Sequence, residues 1–454
     1  MPLDLFFKDS VIPDVFFELP KTQCRTLKWT LCTYENIRDD MELLSTEVLE
    51  DLVLMHDRDY FSDDEDDDDG PTTSPKLTLF GDSTPRLQSV SLYGLHWAPN
   101  NRFSTVTQLL IGYCFWSHPV TTILNLLGGT PQLVDLVLSG MLQKQRGEAE
   151  SVGRAGRVCL KDLRRFALHN VGVAGDGVAL LLSKLDLSPQ TIIVANGARC
   201  NSSADGPWIS AALSRLNLGF VKPTRMHLVS CAMSRKFRQP GKLLLSVVAA
   251  SRHGGLFSPG RLVSLVDQGY RFSDVFPLSQ VQDLCYLESF YMNVEDPWSS
   301  RMWSSILSEL PALEQLTVLG RNLPHIAQGL EDSHKSGEGS EHDQQPICPR
   351  LTRIVVFLSS QDPHVGEVMA RLAAIRDRLP FSKVTVGYLP GYYHDRWTFN
   401  WGYHPCPFEA EYVDYKDVPP METPWPDHPE LPELPTVYWP TIAQWTDYYC
   451  RLPR

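Results

Sequence analysis

Three places in this chain bring together residue types that could do chemistry. Gly172, Gly175 and Gly177 have the outline of a loop whose backbone N–H groups would cradle a phosphate. Their order is GxxGxG, however, and no lysine follows at P-loop spacing, so they predict a plain turn before a helix. His394, His404 and Cys406 are close in sequence and of metal-ligating type. Neither histidine has an acidic residue at helical spacing to orient it, and Pro405 and Pro407 make the segment a loop, so no metal site and no acid–base pair is expected. Ser62 precedes a run of seven acids, Asp63, Asp64, Glu65, Asp66, Asp67, Asp68 and Asp69. Acid-directed kinases prefer that composition, which makes Ser62 a candidate phosphorylation site where phosphate would add about −1.5 to −2 charge. The same run also reads as a solvated insertion whose charges repel one another, and it lacks the glycine turn and downstream glutamate of a calcium loop. No GxSxG, HExxH or cysteine-nucleophile signature occurs. The expectation is a protein that is not an enzyme and holds no cofactor.

Composition narrows the partners. The net charge is −13, and the acidic run alone supplies more than half of it. A general nucleic-acid binder needs a basic face to neutralise phosphates, so none is expected here. The ten cysteines include no CxxC pair, and Cys24 and Cys32, the closest two, lack zinc-ligand spacing and partner histidines, so they read as reduced core residues. Residues 1–17 carry Asp4, Asp9 and Asp14 without a basic leader, which argues against a secretory signal. No apolar run approaches the ~18 residues of a membrane span. A cytoplasmic or nuclear location follows as the expectation.

The elements that would position any site are written in a recurring phrase: an apolar residue, two others, a second apolar residue, one other, a third. It reads Leu49, Leu52, Leu54; Leu87, Val90, Leu92; Val106, Leu109, Ile111; Leu133, Leu136, Leu138; Leu163, Phe166, Leu168; Leu313, Leu316, Val318; and Leu351, Ile354, Val356. Leu287, Phe290, Met292 fits as an eighth copy. This is the strand phrase of a leucine-rich repeat, whose apolar residues only stacked neighbours can bury. Starts fall 19, 27 and 30 residues apart from Leu87 to Leu163, around the usual repeat of ~20–29. Only the third phrase is followed by the expected polar or thiol residue, Cys114; others carry Leu95, Met141 or Val171 there, so no uniform asparagine ladder is expected. An ordinary parallel α/β sheet would share the same apolar pattern.

Between phrases the period changes from two to that of a helix. Residues 120–127 put Ile123, Leu124, Leu126 and Leu127 on one side, and Gly128 and Gly129 are placed to form a left-handed cap. Further helices are read over 178–185, from Pro297 through Leu310 with Met302, Ile306 and Leu307 on one face, and after Asp362 and Pro363 through Leu379. Three polar stretches interrupt the pattern as loops: the acidic loop 62–70 and the polar loops 143–156 and 331–345. Ile192 with Val194, and Met226 with Leu228, suit further strands whose register between 187 and 280 the pattern leaves open. Residues 387–454 hold twelve prolines and Trp397, Trp401, Trp425, Trp439 and Trp445. Prolines forbid long regular elements while aromatics favour burial, so an irregular segment packing as a cap near Val384 and Val386 is expected. The fold class is therefore α/β, a leucine-rich-repeat solenoid over 1–386 followed by an aromatic, proline-rich C-terminal segment over 387–454.

If the phrase residues point inward, strand alternation turns their neighbours outward. The central outward column is Val53, Ser91, Leu110, Val137, Ala167, Tyr291, Thr317 and Val355, none of them charged. Flanking outward positions are polar and include Gln108, Asp135, Arg165 and Arg353. An apolar stripe with a polar rim suits a protein-binding surface; cover by the chain itself is the other way to satisfy it.

Residues 84–94 (TPRLQSVSLYG) and 117–140 (SHPVTTILNLLGGTPQLVDLVLSG) resemble the repeat region of the large F-box protein families of mushroom-forming fungi. Residues 80–85 (FGDSTP), 160–166 (LKDLRRF) and the opening 2–5 (PLDL) do so too. The resemblance spans roughly residues 2–390. It implies repeats that hold a substrate protein for a cullin ubiquitin ligase, joined to an N-terminal F-box that docks a Skp-type adaptor. This chain departs from that pattern. Ile12 to Phe16 (IPDVF) is similar to an F-box opening, yet Leu27 to Leu31 is already strand-like, leaving no room for a module of ~40–50 residues. The expectation is a protein-binding scaffold that does not bind the adaptor unless an F-box is missing upstream, with a free-standing interaction protein as the alternative.

Overall fold

The computed structural model describes residues 3–7, 24–31, 47–56, 76–82, 84–140, 152, 156–169, 175–188, 190–196, 199–200, 225–232, 243–250, 255–258, 261–262, 279, 281–288, 300–335, 347–358, 383–388 and 409–414. They fall into two compact units, Met1–Asn217 and Leu218–Arg454, dividing the chain within the span 1–386.

The first unit contains β1 (Leu3–Phe7), β2 (Cys24–Leu31), β3 (Asp51–His56), β4 (Lys76–Leu77), β5 (Ser89–Tyr93), β6 (Ala98–Pro99), β7 (Gln108–Gly112), β8 (Asp135–Ser139), β9 (Val158–Leu160), β10 (Arg165–His169), β11 (Leu185–Leu187), β12 (Ile192–Asn196) and β13 (Arg199–Cys200). Two helices, α1 (Pro119–Gly128) and α2 (Gly175–Lys184), lie between strands. The strands β1, β2, β3, β5, β7, β8, β10 and β12 are neighbours in that order, each parallel to the next. Short parallel pairs, β4 with β6 and β9 with β11, stand beside them.

Register follows the phrase. Trp29, Leu54, Leu92, Ile111, Leu138 and Leu168 form one row across the sheet, with Leu27, Leu52, Val90, Leu109, Leu136 and Phe166 as the row beside it. All twelve are buried. A parallel strand cannot bury this face alone, so each row is completed only by the strands on either side.

The backbone repeats as faithfully as the side chains. The Glu50 carbonyl accepts from the N–H groups of Gln88 and Ser89, that of Gln88 from Thr107 and Gln108, that of Thr107 from Val134 and Asp135, and that of Val134 from Arg164 and Arg165. Each stitch joins the start of one strand to the start of the next. At the far end Gly94, Tyr113 and Gly140 occupy equivalent positions with φ of 66°, 50° and 60°, and each donates its N–H to a carbonyl on the next strand, Gly112, Ser139 and His169 respectively. A β-carbon on Gly140 would fall 2.3 Å from the Tyr113 ring and would also meet the left-handed penalty. Gly140→Ala is therefore expected to cost about 1–3 kcal/mol in urea unfolding, with part of the loss recovered when Tyr113→Ala removes the ring.

Helix α1 forms where it was read and stops differently. Pro119 opens it at the first helical position, where its missing N–H costs nothing, and Val120, Ile123, Leu124, Leu126 and Leu127 are buried. Gly129 has φ −89°, so it is not a left-handed cap. The turn closes instead through the Gly129 N–H on the Leu126 carbonyl and the Thr130 N–H on that of Leu127. Glycine fits a tight place here, since a β-carbon would come within 3.3 Å of the Asn101–Arg102 backbone. Asn101 is itself buried and clamps Leu79, its Oδ1 accepting from the Leu79 N–H and its Nδ2 donating to the Leu79 carbonyl.

The second unit contains β14 (Arg225–Ala232), β15 (Leu243–Ala250), β16 (Gly255–Ser258), β17 (Arg261–Leu262), β18 (Asp283–Glu288), β19 (Gln315–Leu319), β20 (Arg353–Leu358), β21 (Lys383–Tyr388) and β22 (Glu409–Asp414), with α3 (Ser300–Ser308) and α4 (Leu323–Lys335). Strands β14, β18, β19, β20, β21 and β22 are consecutive and parallel, whereas β15 pairs antiparallel with both β14 and β16. The backbone stitch returns: the Gln282 carbonyl accepts from Glu314 and Gln315, and that of Glu314 from Thr352 and Arg353.

Three expectations change in this unit. The eighth phrase is shifted, because Leu284 pairs with Leu316 and Tyr286 with Val318, so the phrase is Val281, Leu284, Tyr286. Tyr286 is fully buried edge-on to Trp303 of α3, ring centres 5.3 Å apart, which seats that helix on the inward side of β18. Helix α4 runs through Lys335, into the stretch 331–345 read as a loop, because Leu323, Ile326, Ala327 and Leu330 give it a buried side while its last turn is polar. The C-terminal segment is not wholly irregular: between Pro407 and Pro419 the proline-free β22 forms and pairs Ala410 with Val384 and Tyr412 with Val386.

Candidate binding face

Strand register brings the outward residues of the first unit into a single column. Lys28, Val53, Ser91, Leu110, Val137, Ala167 and Val194 are successive partners. The column is thus longer than the phrases indicated, and Lys28 gives it one charge at its β2 end. Its exposure is divided. Lys28, Val53, Ser91 and Leu110 are half-buried, while Val137, Ala167 and Val194 are buried. The part of the stripe open to a partner is therefore the span from β2 to β7, and the part on β8, β10 and β12 is closed.

In the second unit Cys285, Thr317, Val355 and Thr385 align, with Thr317 7% and Val355 4% exposed. Those two positions are closed to a partner as well. Tyr291 lies outside the described residues, and the shift of the eighth phrase puts Cys285 in its place.

The flanking polar column has a different use from a rim. Adjacent parallel strands are ~4.8 Å apart, so polar side chains at equivalent positions reach one another. Gln108 Nε2 donates to Asp135 Oδ2 at 3.0 Å, and Arg165 grips the same carboxylate with Nε on Oδ1 at 2.5 Å and Nη2 on Oδ2 at 2.7 Å. The Asp135 and Arg165 side chains are 1% and 7% exposed. These two charges neutralise each other under cover and are spent within the sheet. Thr26 Oγ1 donates to Asp51 Oδ2 at 3.4 Å earlier in the column, where burial raises the Asp51 carboxyl above its usual range against that bond. In the second unit Gln315 Nε2 meets Asp283 at 3.5 Å and Arg353 Nε meets Thr385 Oγ1 at 3.1 Å. Neither ladder is visible in the sequence, because its members are 25 to 32 residues apart and only register aligns them.

At the ends of the strands, rings line the edge. His56 stands edge-on to His96 at 5.6 Å, and His96 stacks on Phe115 at 5.2 Å, with Phe115 half exposed. Ser139 Oγ lies 3.3 Å from His169 Nδ1. Burial holds His169 below the ordinary imidazole range, and Ser139 is fully buried, so the pair reads as a hydrogen bond between β8 and β10.

The thiols divide sharply. Cys114, just beyond β7, directs its Sγ to the carbonyls of Leu92 at 3.7 Å and Gly112 at 3.5 Å, and burial pushes it up to about 12. Cys348 donates to the Leu307 carbonyl at 3.1 Å and is likewise pushed by burial to about 12. Cys159 is exposed. Alkylation of the native protein near neutral pH is expected to label Cys159 and to spare Cys114 and Cys348 until urea unfolds the chain; mass spectrometry of the labelled peptides checks this.

Gly175 and Gly177 lie in α2, and Gly172 lies outside the described residues. Ser62 with its acidic run, His394, His404 and Cys406 lie outside them also. Among the described residues no group of three or more His, Cys, Asp or Glu side chains is placed to hold a metal ion, and no helix is long and apolar enough to cross a membrane. No protein-family model matches the chain, and no curated protein matches it.

Proposed function

We propose that this chain is a leucine-rich-repeat-type solenoid that acts by binding another protein, in the manner of the substrate-recognition region of an F-box-type ubiquitin ligase receptor, in the cytoplasm or nucleus. The single observation that carries the reading is the half-open outward column Val53, Ser91 and Leu110, uncharged and laid side by side on three consecutive parallel strands. Covering such a strip takes apolar surface out of water and desolvates no charge, which is what the centre of a protein interface requires. Lys28 supplies one charge at its β2 end. Backbone hydrogen bonds tie its strands together, which lowers the ordering cost of binding on this side.

The ligase link rests on the resemblance of the repeats alone; the alternative is a free-standing interaction protein. Affinity purification of residues 1–454 with mass spectrometry tests both. A protein enriched by the native chain and lost with Ser91→Arg plus Leu110→Arg supports the binding face, and no enrichment that depends on those residues counts against it. A Skp-type adaptor is not expected at stoichiometric amount, and its presence would reveal a docking module that the sequence reading missed.

A further inference from the structure

We propose that β1 is a homodimerisation edge, pairing antiparallel with β1 of a second copy of this chain. Among the described residues β1 ends the strand order of the first unit and pairs on one side only, with β2. Alternate N–H and C=O groups of Leu3–Phe7 therefore face away from β2, a template that proteins blunt with charge, proline or a bulge. This strand does little of that. Its sequence is LDLFF, with one charge and no proline, the extra residue of its register shift is Arg25 on β2, and Phe6 is 68% exposed on the outward side.

The sequence of β1 is also complementary to itself. In an antiparallel pair with a two-fold axis through Leu5, Leu3 opposes Phe7 of the second copy, Leu5 opposes Leu5, and Asp4 opposes Phe6. Leu5 is on the inward side, since it is in register with the buried Leu27. Pairing would thus carry the buried row through Leu27 across the axis and cover the end of the stack, which a repeat array needs. On the outward side no like charges face each other. Beyond each Phe6 stands Lys28, so Asp4 of the second copy would sit in line with an opposite charge across the phenyl ring. One five-residue strand per copy is small beside the ~1,200–2,000 Å² of a stable interface, so the dimer is a weak one that forms as concentration rises.

Sedimentation equilibrium of the full chain over a wide concentration range tests this. The native chain should move from monomer to dimer. Phe6→Asp, on an exposed side chain, should raise the dissociation constant about a hundredfold or more by losing two phenyl contacts and opposing Asp4 with a second carboxylate. Asp4→Lys combined with Phe6→Asp should restore much of the association, because each new lysine then faces the new aspartate. Circular dichroism checks that each variant keeps the native fold. A chain that stays monomeric throughout, or one whose dimer is indifferent to Phe6→Asp, would overturn the proposal.

Discussion

Leu138→Asp is expected to destroy cooperative folding of the first unit. Leu138 is fully buried and sits in register between Ile111 and Leu168, with apolar partners on both sides and no polar group in its row. Truncating such a leucine to alanine already costs ~2–5 kcal/mol, and a carboxylate adds the penalty of an unpaired buried charge. The sum is comparable to the ~5–15 kcal/mol that holds a domain together. Leu110→Asp is the control: one strand away, outward and half-buried, it should cost far less. Urea unfolding followed by circular dichroism reads both, and equal losses would mean that the inward and outward faces had been assigned wrongly.

The second large effect lies in the polar ladder. Arg165→Met should destabilise the fold by ~3–5 kcal/mol, because Asp135 then remains buried with Gln108 as a donor but without a counter-charge. Asp135→Leu together with Arg165→Met should be close to neutral, since desolvating two charges costs nearly what their pairing returns. A double-mutant cycle separates the two cases. Additive losses would show that the pair is not coupled.

Much of the strand pattern was legible because leucines at fixed offsets survive irregular spacing. The rows through Leu92, Ile111, Leu138 and Leu168 are continuous in the order in which the phrases occur. Where the apolar letters changed type the reading slipped. Tyr286 occupies a leucine position, and Leu287, Phe290 and Met292 offered the same spacing a few residues on, so the wrong copy was chosen. Met226 and Leu228 do lie in a strand, β14, but β15 is harder to read: LLLSVVAA has no alternation to mark its faces, and nothing local announces an antiparallel partner. Helix α4 was missed because its polar last turn masked the spacing of Leu323, Ile326, Ala327 and Leu330.

The binding face was legible in outline and not in exposure. Alternation assigns Val137 and Ala167 outward as surely as Ser91 and Leu110, but burial depends on what lies over them, which a strand's own period does not encode. The charges of Asp135 and Arg165 looked like a rim for the same reason. Their partners turned out to be each other.

On the proposed reading, the open strip through Val53, Ser91 and Leu110 binds a protein. It is tested most directly by placing a photo-crosslinking amino acid at Leu110, at Ser91 and, as a control, at the exposed Asn125 of α1, then irradiating in cells and identifying the adducts by mass spectrometry. One protein captured from Leu110 and from Ser91 but not from Asn125 is the result this account predicts. No adduct at the strip, or the same adducts from all three positions, would contradict it.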